Sequence, residues 1–503
     1  MPRYRNVREK YRAVLHYTGS ICLIGAAVIL LPLAVIPFFP EEAGMLLHFA
    51  LPSLLLGAIG FYLRAHYRVS GSITLNATWG GIIVFMSWII ICLFSAFPLM
   101  SGAQLNFTGA VFESVSGWTT TGLSVLDVEK ASHTILLWRS LMQLFGGAGL
   151  VIIMMTAIIG PLGPGLSVAE GRDTQLVPHV VQSTRIVARI YAVYALFGFL
   201  AYWIAGMSPF DAVNHSFAAI STGGFSTRAA SIGYWNSPCI ETVTNLLMIA
   251  GNMSFLTAYL LIRGKFRMAL RDGEVKLLAA AVPLGALLLF FTFTGSEQMG
   301  FAGTFRAALF QSVTAITTTG FSTVPFSIIG PLGIFTIIVL MVIGGGTYST
   351  AGGLKQIRVY LLLKSIIWNI RQRVLPHRSV VSNYYWKGEE RKFINWETVG
   401  RMTTYMGLYM VTLMLGTTII VAHGFSIADS LFEFSSALGT VGLSAGITAP
   451  DAPALVLWTE TVGMFLGRLE FFVIITSLMI LIRDSHLFLS RGDKRPIRKP
   501  NEG

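Results

Sequence analysis

The stretch Gln311-Ser312-Val313-Thr314-Ala315-Ile316-Thr317-Thr318-Thr319-Gly320-Phe321-Ser322-Thr323 decides how this chain is read, because variants of it occur four times. The first is Glu113-Ser114-Val115-Ser116-Gly117-Trp118-Thr119-Thr120-Thr121-Gly122-Leu123-Ser124. The second closes with Ser221-Thr222-Gly223-Gly224-Phe225-Ser226-Thr227, and the fourth is Ser436-Ala437-Leu438-Gly439-Thr440-Val441-Gly442-Leu443-Ser444. Aligned on Gly122, Gly224, Gly320 and Gly442, each copy has Thr or a small residue before the Gly, then Leu or Phe, then Ser. The steps are 102, 96 and 122 residues. Self-similarity at domain-sized spacing marks an internal repeat rather than four unrelated turns.

The residue types suit one chemistry. Small residues and Gly let successive backbone carbonyls turn toward a common axis, where bulkier residues resist the required dihedrals. Four such strands form rings of carbonyl oxygens able to replace the water shell of a monovalent cation. The candidate ion ligands are therefore Thr120, Thr121 and Gly122; Thr222, Gly223 and Gly224; Thr318, Thr319 and Gly320; and Thr440, Val441 and Gly442. No separate cofactor is expected, only monovalent cations held in these loops.

Composition sets the class. Of 503 residues 54% are hydrophobic and 12% charged, against about 25% charged in ordinary soluble domains. The chain is expected to be an all-α polytopic membrane protein. Its net charge of +12 does not indicate nucleic acid, because the basic residues gather in a few segments between apolar runs, as cytoplasmic loops do. Cys22, Cys92 and Cys239 are scattered, which argues against a disulfide framework or metal cluster. The nine histidines show no ligand spacing and no nucleotide-binding Gly loop is present, so no enzyme is expected.

An N-terminal helix pair (1–72), with spans at about 19–39 and 44–63, precedes the repeats. Four units follow at 73–183, 184–272, 273–398 and 399–503, the last including a basic tail read as a lipid-facing anchor and topology signal. Each unit predicts an outward span, a short re-entrant helix, the Thr/Gly loop and a return span. The spans are 75–100 and 133–159, 186–205 and 237–262, 275–293 and 328–369, and 402–421 and 455–482. The short helices are 107–117, 209–220, 301–316 and 427–438. Ser208-Pro209-Phe210-Asp211 supplies the second short helix with an N-cap, Pro at N1 and an acid in the first turn. Bases at Arg263, Lys265, Arg267 and at Arg371, Arg373, Arg378 place those loops and both termini in the cytoplasm.

Two departures break the repeat. Gly344-Gly345-Gly346-Thr347-Tyr348-Ser349-Thr350-Ala351-Gly352-Gly353 interrupts the third return span, since each Gly costs roughly 1 kcal/mol against Ala in a helix. Unwound backbone at membrane depth belongs in protein or beside water. Read as a gate, the loop turns on Gly344, Gly345, Gly346, Gly352 and Gly353; read otherwise, it is a tight turn between helices. Arg468 is the second departure. An arginine at that depth either faces the pore, opposing cation passage, or pairs with Glu470 or Glu460. Glu113 and Glu433 sit at matching places on the short helices, with Gln311 in the third, and either attract cations or brace the loop.

Together the four loops, the Gly-rich break ending Thr350-Ala351-Gly352-Gly353-Leu354-Lys355 and Gly467-Arg468-Leu469-Glu470 resemble the TrkH/TrkG/KtrB superfamily of potassium uptake proteins, and the extra N-terminal pair resembles its TrkH branch. The resemblance implies a homodimer in the cytoplasmic (inner) membrane, one pore per subunit, and cytoplasmic nucleotide-binding regulatory subunits of the TrkA type. It maps the family's gate onto 344–353 and its pore arginine onto Arg468. Gly122 stands where relatives admitting sodium carry Ser, which favours potassium. Tyr348 departs from the family's small-residue gate. The rival class is a symporter coupling potassium to proton or sodium entry, with Glu113, Glu433, Asn245 and Asn252 as the polar residues available to it.

Overall fold

The computed structural model describes residues 2–68, 77–149, 180–293, 296–375, 383–387 and 390–492. Helices carry the architecture; Tyr384–Lys387 and Glu390–Phe393 add one short antiparallel hairpin. Among the described residues, six helices are long and apolar enough to cross a membrane. Their outer faces expose Leu196, Phe197, Trp203, Leu284, Leu287 and Leu415. Large side chains left out of the core in this way suit a lipid solvent, where helices satisfy their own backbone groups.

The N-terminal helices Pro2–Leu30 and Met45–His66 lie against each other, joined through a 3-10 segment, Leu31–Phe38, with Pro32 in its first turn. The basic N-terminal residues are thus already helical, ahead of the apolar run at 19–39. The helices at the spans read as outward are Ala77–Gly102, Val180–Ile204, Gly273–Phe290 and Trp396–Val421. The short helices are Phe107–Trp118, Pro209–Ile220, Ser296–Ile316 and Ile427–Gly439. The third is turned at Gly300, whose φ of +65° breaks the helix. Side-chain oxygens of Asn106, Ser208 and Ser426 accept the N–H three residues on and start the other three, each cap stabilising by about 1 kcal/mol.

The short helices are the interior of the molecule. Every residue from Gly109 to Trp118 is buried, as is Phe432 to Gly439. The return helices His133–Gly147, Pro238–Asn252, Pro331–Ile343 and Ala454–Leu469 pack around them. Positions 150–159 of the first return span lie outside the described residues, as does the tail beyond 492.

Two return spans expected to be continuous are broken. Pro238–Asn252 and Phe255–Ile262 meet at 112°, and Ala454–Leu469 meets the following helix at 104°. The first break follows from competition for a carbonyl: Asn252 O accepts from Gly346 N rather than continuing the helix, and Ser254 caps the next segment through Thr257 N. At the second, Glu470 adopts φ +60° and its carboxylate meets Arg358 at 2.9 Å.

Candidate functional site

All four short helices end the same way. In the first, Thr120 N donates to Gly117 O and Thr121 N to Ser116 O; the same pair of bonds recurs at Thr222 and Gly223, Thr318 and Thr319, and Thr440 and Val441. This is the Schellman pattern, whose C′ residue must be left-handed and is usually glycine. Here it is threonine four times, at φ +55°, +52°, +53° and +49°. A β-branched residue in that region is strained, by about 1–3 kcal/mol each. Two residues on, Gly122, Gly224, Gly320 and Gly442 again have positive φ, between +71° and +98°. Alternating the handedness turns over alternate peptide planes, so carbonyls that point to opposite sides in a plain strand share one side.

The four loops close on one another. A β-carbon at Gly122 would stand 2.2 Å from the Gly223 carbonyl oxygen, one at Gly224 2.0 Å from that of Thr319, one at Gly320 2.0 Å from that of Val441, and one at Gly442 2.2 Å from that of Thr121. Each glycine therefore abuts the carbonyl preceding the glycine of the next unit, and the fourth returns to the first. Only a residue without a side chain fits these four places. The threonines and Val441 are buried, while the four glycines are half-buried and border a cavity of about 360 Å3. The helix C-termini, each carrying about half a negative charge, end directly before this ring.

Each loop is tied back to its own helix by a residue nine positions before the glycine. Ser124 Oγ donates to Glu113 at 2.9 Å and Ser444 Oγ to Glu433 at 2.7 Å, and Gln311 Nε2 donates to Ser322 Oγ at 2.8 Å. In the second unit the residue is His215, which sequence reasoning passed over. Its Nδ1 faces Asp211 O at 2.8 Å and its Nε2 faces Ser226 Oγ at 2.9 Å. A carbonyl only accepts, so Nδ1 carries the hydrogen and Nε2 accepts from the serine. Counting nine residues back from Gly224 would have found it. The two glutamates therefore brace their loops.

Arg139 and Gln143, on the first return helix, were also missed. Arg139 Nε donates to Glu113 at 2.6 Å with both side chains buried, its guanidinium lies 3.8 Å from the Phe225 ring centre, and Nη1 donates to Ser226 O. Gln143 Nε2 donates to the Gly223 carbonyl at 2.6 Å while its Oε1 accepts from Phe225 N. One of the two lone pairs of that carbonyl is thus taken by protein.

The Gly-rich loop lies against the floor of the ring. Gly352 N donates to Thr318 Oγ1 at 2.8 Å, and Thr222 Oγ1 meets Thr350 Oγ1 at 3.2 Å. Gly352 also approaches Thr440: a β-carbon there would stand 2.1 Å from its hydroxyl oxygen. Three of the four strained threonines contact this segment. Thr350 Oγ1 also lies within hydrogen-bond distance of Ile220 O and Gly251 O, either of which can take its one hydrogen, and Glu274 accepts from Thr347 N at 2.7 Å. Tyr348 fits by taking φ +60°, and its carbonyl accepts from Phe255 N. Gly344 and Gly353 pack together with positive φ, Gly345 N bonds Gly352 O, and Gly346 N bonds Asn252 O. The segment is far more than a turn between helices.

Arg468 reaches the same segment. Its guanidinium donates to Thr350 O and to Gly146 O at 2.7 Å and Gly147 O at 3.2 Å. Glu470 is engaged by Arg358 and Glu460 by Thr448. Arg468 thus ties the loop to the end of the first return helix.

The family model described as TrkH, "Cation transport protein", matches residues 53–489. The chain belongs to the TrkH family. It is 31% identical to the Trk system potassium uptake protein TrkH of Halomonas elongata over 414 residues, covering 79% of this chain and 84% of that one. It is 28% identical over 470 residues to a cation transporter of Methanocaldococcus jannaschii, covering 93% and 95%. Among solved structures it is similar to the potassium transporter TrkH from Vibrio parahaemolyticus, with a TM-score of 0.80, 25% identity, and coverage of 92% of this chain and 98% of that one. As a TrkH-family protein it is a multi-pass membrane transporter and not an enzyme.

Proposed function

We propose that the protein takes potassium into the cell through the ring of Gly122, Gly224, Gly320 and Gly442, with carbonyls of Thr120, Thr121, Thr222, Gly223, Thr318, Thr319, Thr440 and Val441 replacing the ion's water. The observation that carries this reading is the closed contact of the four loops at the ends of four short helices. The ring is made of main-chain oxygens, which suit a weakly hydrated monovalent cation. Relatives bearing the name potassium uptake protein support the choice of ion. The segment at 344–353 acts as the gate, with Arg468 as its latch and as a positive charge beside the path.

The protein works as a homodimer in the cytoplasmic membrane, with both termini on the cytoplasmic side, governed by a nucleotide-binding regulatory subunit of the TrkA type. The basic residues of the loops at 263–276 and 371–392 support this orientation.

Radioactive rubidium uptake into proteoliposomes tests the reading. The parent takes up rubidium, competed by potassium and weakly by sodium; Gly320→Ser loses that discrimination; a deletion within 344–353 leaks. Unchanged selectivity and flux in both variants would remove the assignment of filter and gate. Uptake that stops when a proton or sodium gradient is collapsed would replace the channel with a symporter.

A further inference from the structure

Behind the fourth loop two glutamates meet on one hydroxyl. Thr448 Oγ1 lies 2.5 Å from Glu433 Oε1 and 3.0 Å from Glu460 Oε2, and both carboxyls are fully buried. A threonine hydroxyl has a single hydrogen to donate. It cannot serve two ionised carboxylates, which are acceptors only, so one of the two contacts needs a hydrogen from the carboxyl itself.

The remaining partners say which carboxyl holds it. Glu433 accepts from Ser444 Oγ at 2.7 Å, Ala445 N at 2.7 Å and Thr448 N at 3.0 Å as well as from the hydroxyl. Four donors converging on one carboxyl suit the ionised form. Among the described residues Glu460 has only the hydrogen bond to Thr448, and its Oε1 is buried with no hydrogen-bond partner there. An anion in that position would leave a buried charge nearly without support. We propose that Glu433 and Glu460 form a proton site in which a single proton, carried on Glu460 Oε2, is donated to Thr448 Oγ1, whose own hydrogen goes to the Glu433 carboxylate.

The first unit solves the same problem differently. There Glu113 occupies the place of Glu433, and Arg139 lies seven residues before Gly146, which abuts Trp118 O. Glu460 lies seven residues before Gly467, which abuts Leu438 O. A cation in one unit and a neutral acid in the other occupy matching places, so the fourth brace holds a proton where the first holds an ion pair.

Other ionisable groups on the packed elements are already engaged or distant in the chain. Glu113 on the first short helix is paired with Arg139; Arg468, on the helix of Glu460, meets the gate. Asp429 on the fourth short helix bonds Ser426, and the outward span carries Tyr405, Tyr409, Glu397 and Arg401, the last two facing each other. Arg483 and Asp484 pair on the helix after the break. The third return helix, Pro331–Ile343, has no ionisable side chain. Loss of the proton would therefore set two uncompensated anions on Thr448 and loosen the tie from Glu433 to Ser444, two residues beyond Gly442. The inference holds whichever cation the loops carry.

Infrared spectroscopy of the full-length protein in lipid, in water and deuterium oxide, tests this without any flux measurement. At neutral pH the parent should show the C=O stretch of a buried protonated carboxyl, lost in Glu460→Gln and retained in Glu433→Gln. Absence of the band in the parent, its persistence in Glu460→Gln, or its loss in Glu433→Gln would each overturn the proposal. Should Glu460→Gln fail to fold, the parent and Glu433→Gln spectra decide alone.

Discussion

Gly442 of the last unit seats against Thr121 of the first: a β-carbon on Gly442 would lie 2.2 Å from the Thr121 carbonyl oxygen. This contact joins residues more than three hundred positions apart and turns a row of four loops into a ring. Any side chain at Gly442 must displace the Thr121 carbonyl, and the same holds around the circle. Gly442→Ser and Gly320→Ser are expected to lower the preference for potassium over sodium by about tenfold or more, equivalent to about 1.4 kcal/mol. Competition of the two ions against rubidium uptake measures it.

Arg468 is tied to the 344–353 segment and to the first return helix through charge-assisted bonds to main-chain oxygens. Bonds from a charged donor contribute about 1.5–3 kcal/mol. Arg468→Gln is therefore predicted to raise resting flux about tenfold to a hundredfold, measured in proteoliposomes without any regulatory subunit, and Arg468→Lys to fall between the two.

The Glu113 and Arg139 pair predicts a stability effect rather than a flux effect. Removing one partner of a buried pair costs about 3–5 kcal/mol. Arg139→Met should lower the thermal unfolding midpoint in lipid nanodiscs, and adding Glu113→Gln to that variant should recover part of the loss because the stranded charge is gone.

Glu42 carries a pH dependence. Burial raises its pKa, but hydrogen bonds from Thr134 and His133 outweigh this and hold the carboxyl below its ordinary range. A carboxyl depressed on folding stabilises above its unfolded pKa, and that contribution is lost as pH falls through the folded value. Thermal scans should show the parent losing stability on acidification through the carboxylate range, with a shallower slope in Glu42→Gln.

What the sequence shows and what it hides divide by the distance over which the cause acts. The second short helix is read to the residue, Pro209–Ile220, because Ser208, Pro209 and Asp211 act within one turn. The break at Met253 is invisible because the group that claims the Asn252 carbonyl, Gly346 N, lies 94 residues away. The Arg139 brace was available, since a lone cation in an apolar run is the same signal that marked Arg468. The fourfold repeat announces that the glycines are equivalent; only coordinates show each resting on the next unit's carbonyl. The left-handed threonines have no local signature, because the Schellman turn ordinarily selects glycine.

The most direct test is where a cation sits. Crystals of the protein grown or soaked with thallium or rubidium should show anomalous scattering on the axis enclosed by Gly122, Gly224, Gly320 and Gly442, within coordination distance of the loop carbonyls. Bound ions found only elsewhere, with the axis empty at saturating concentration, would contradict the account.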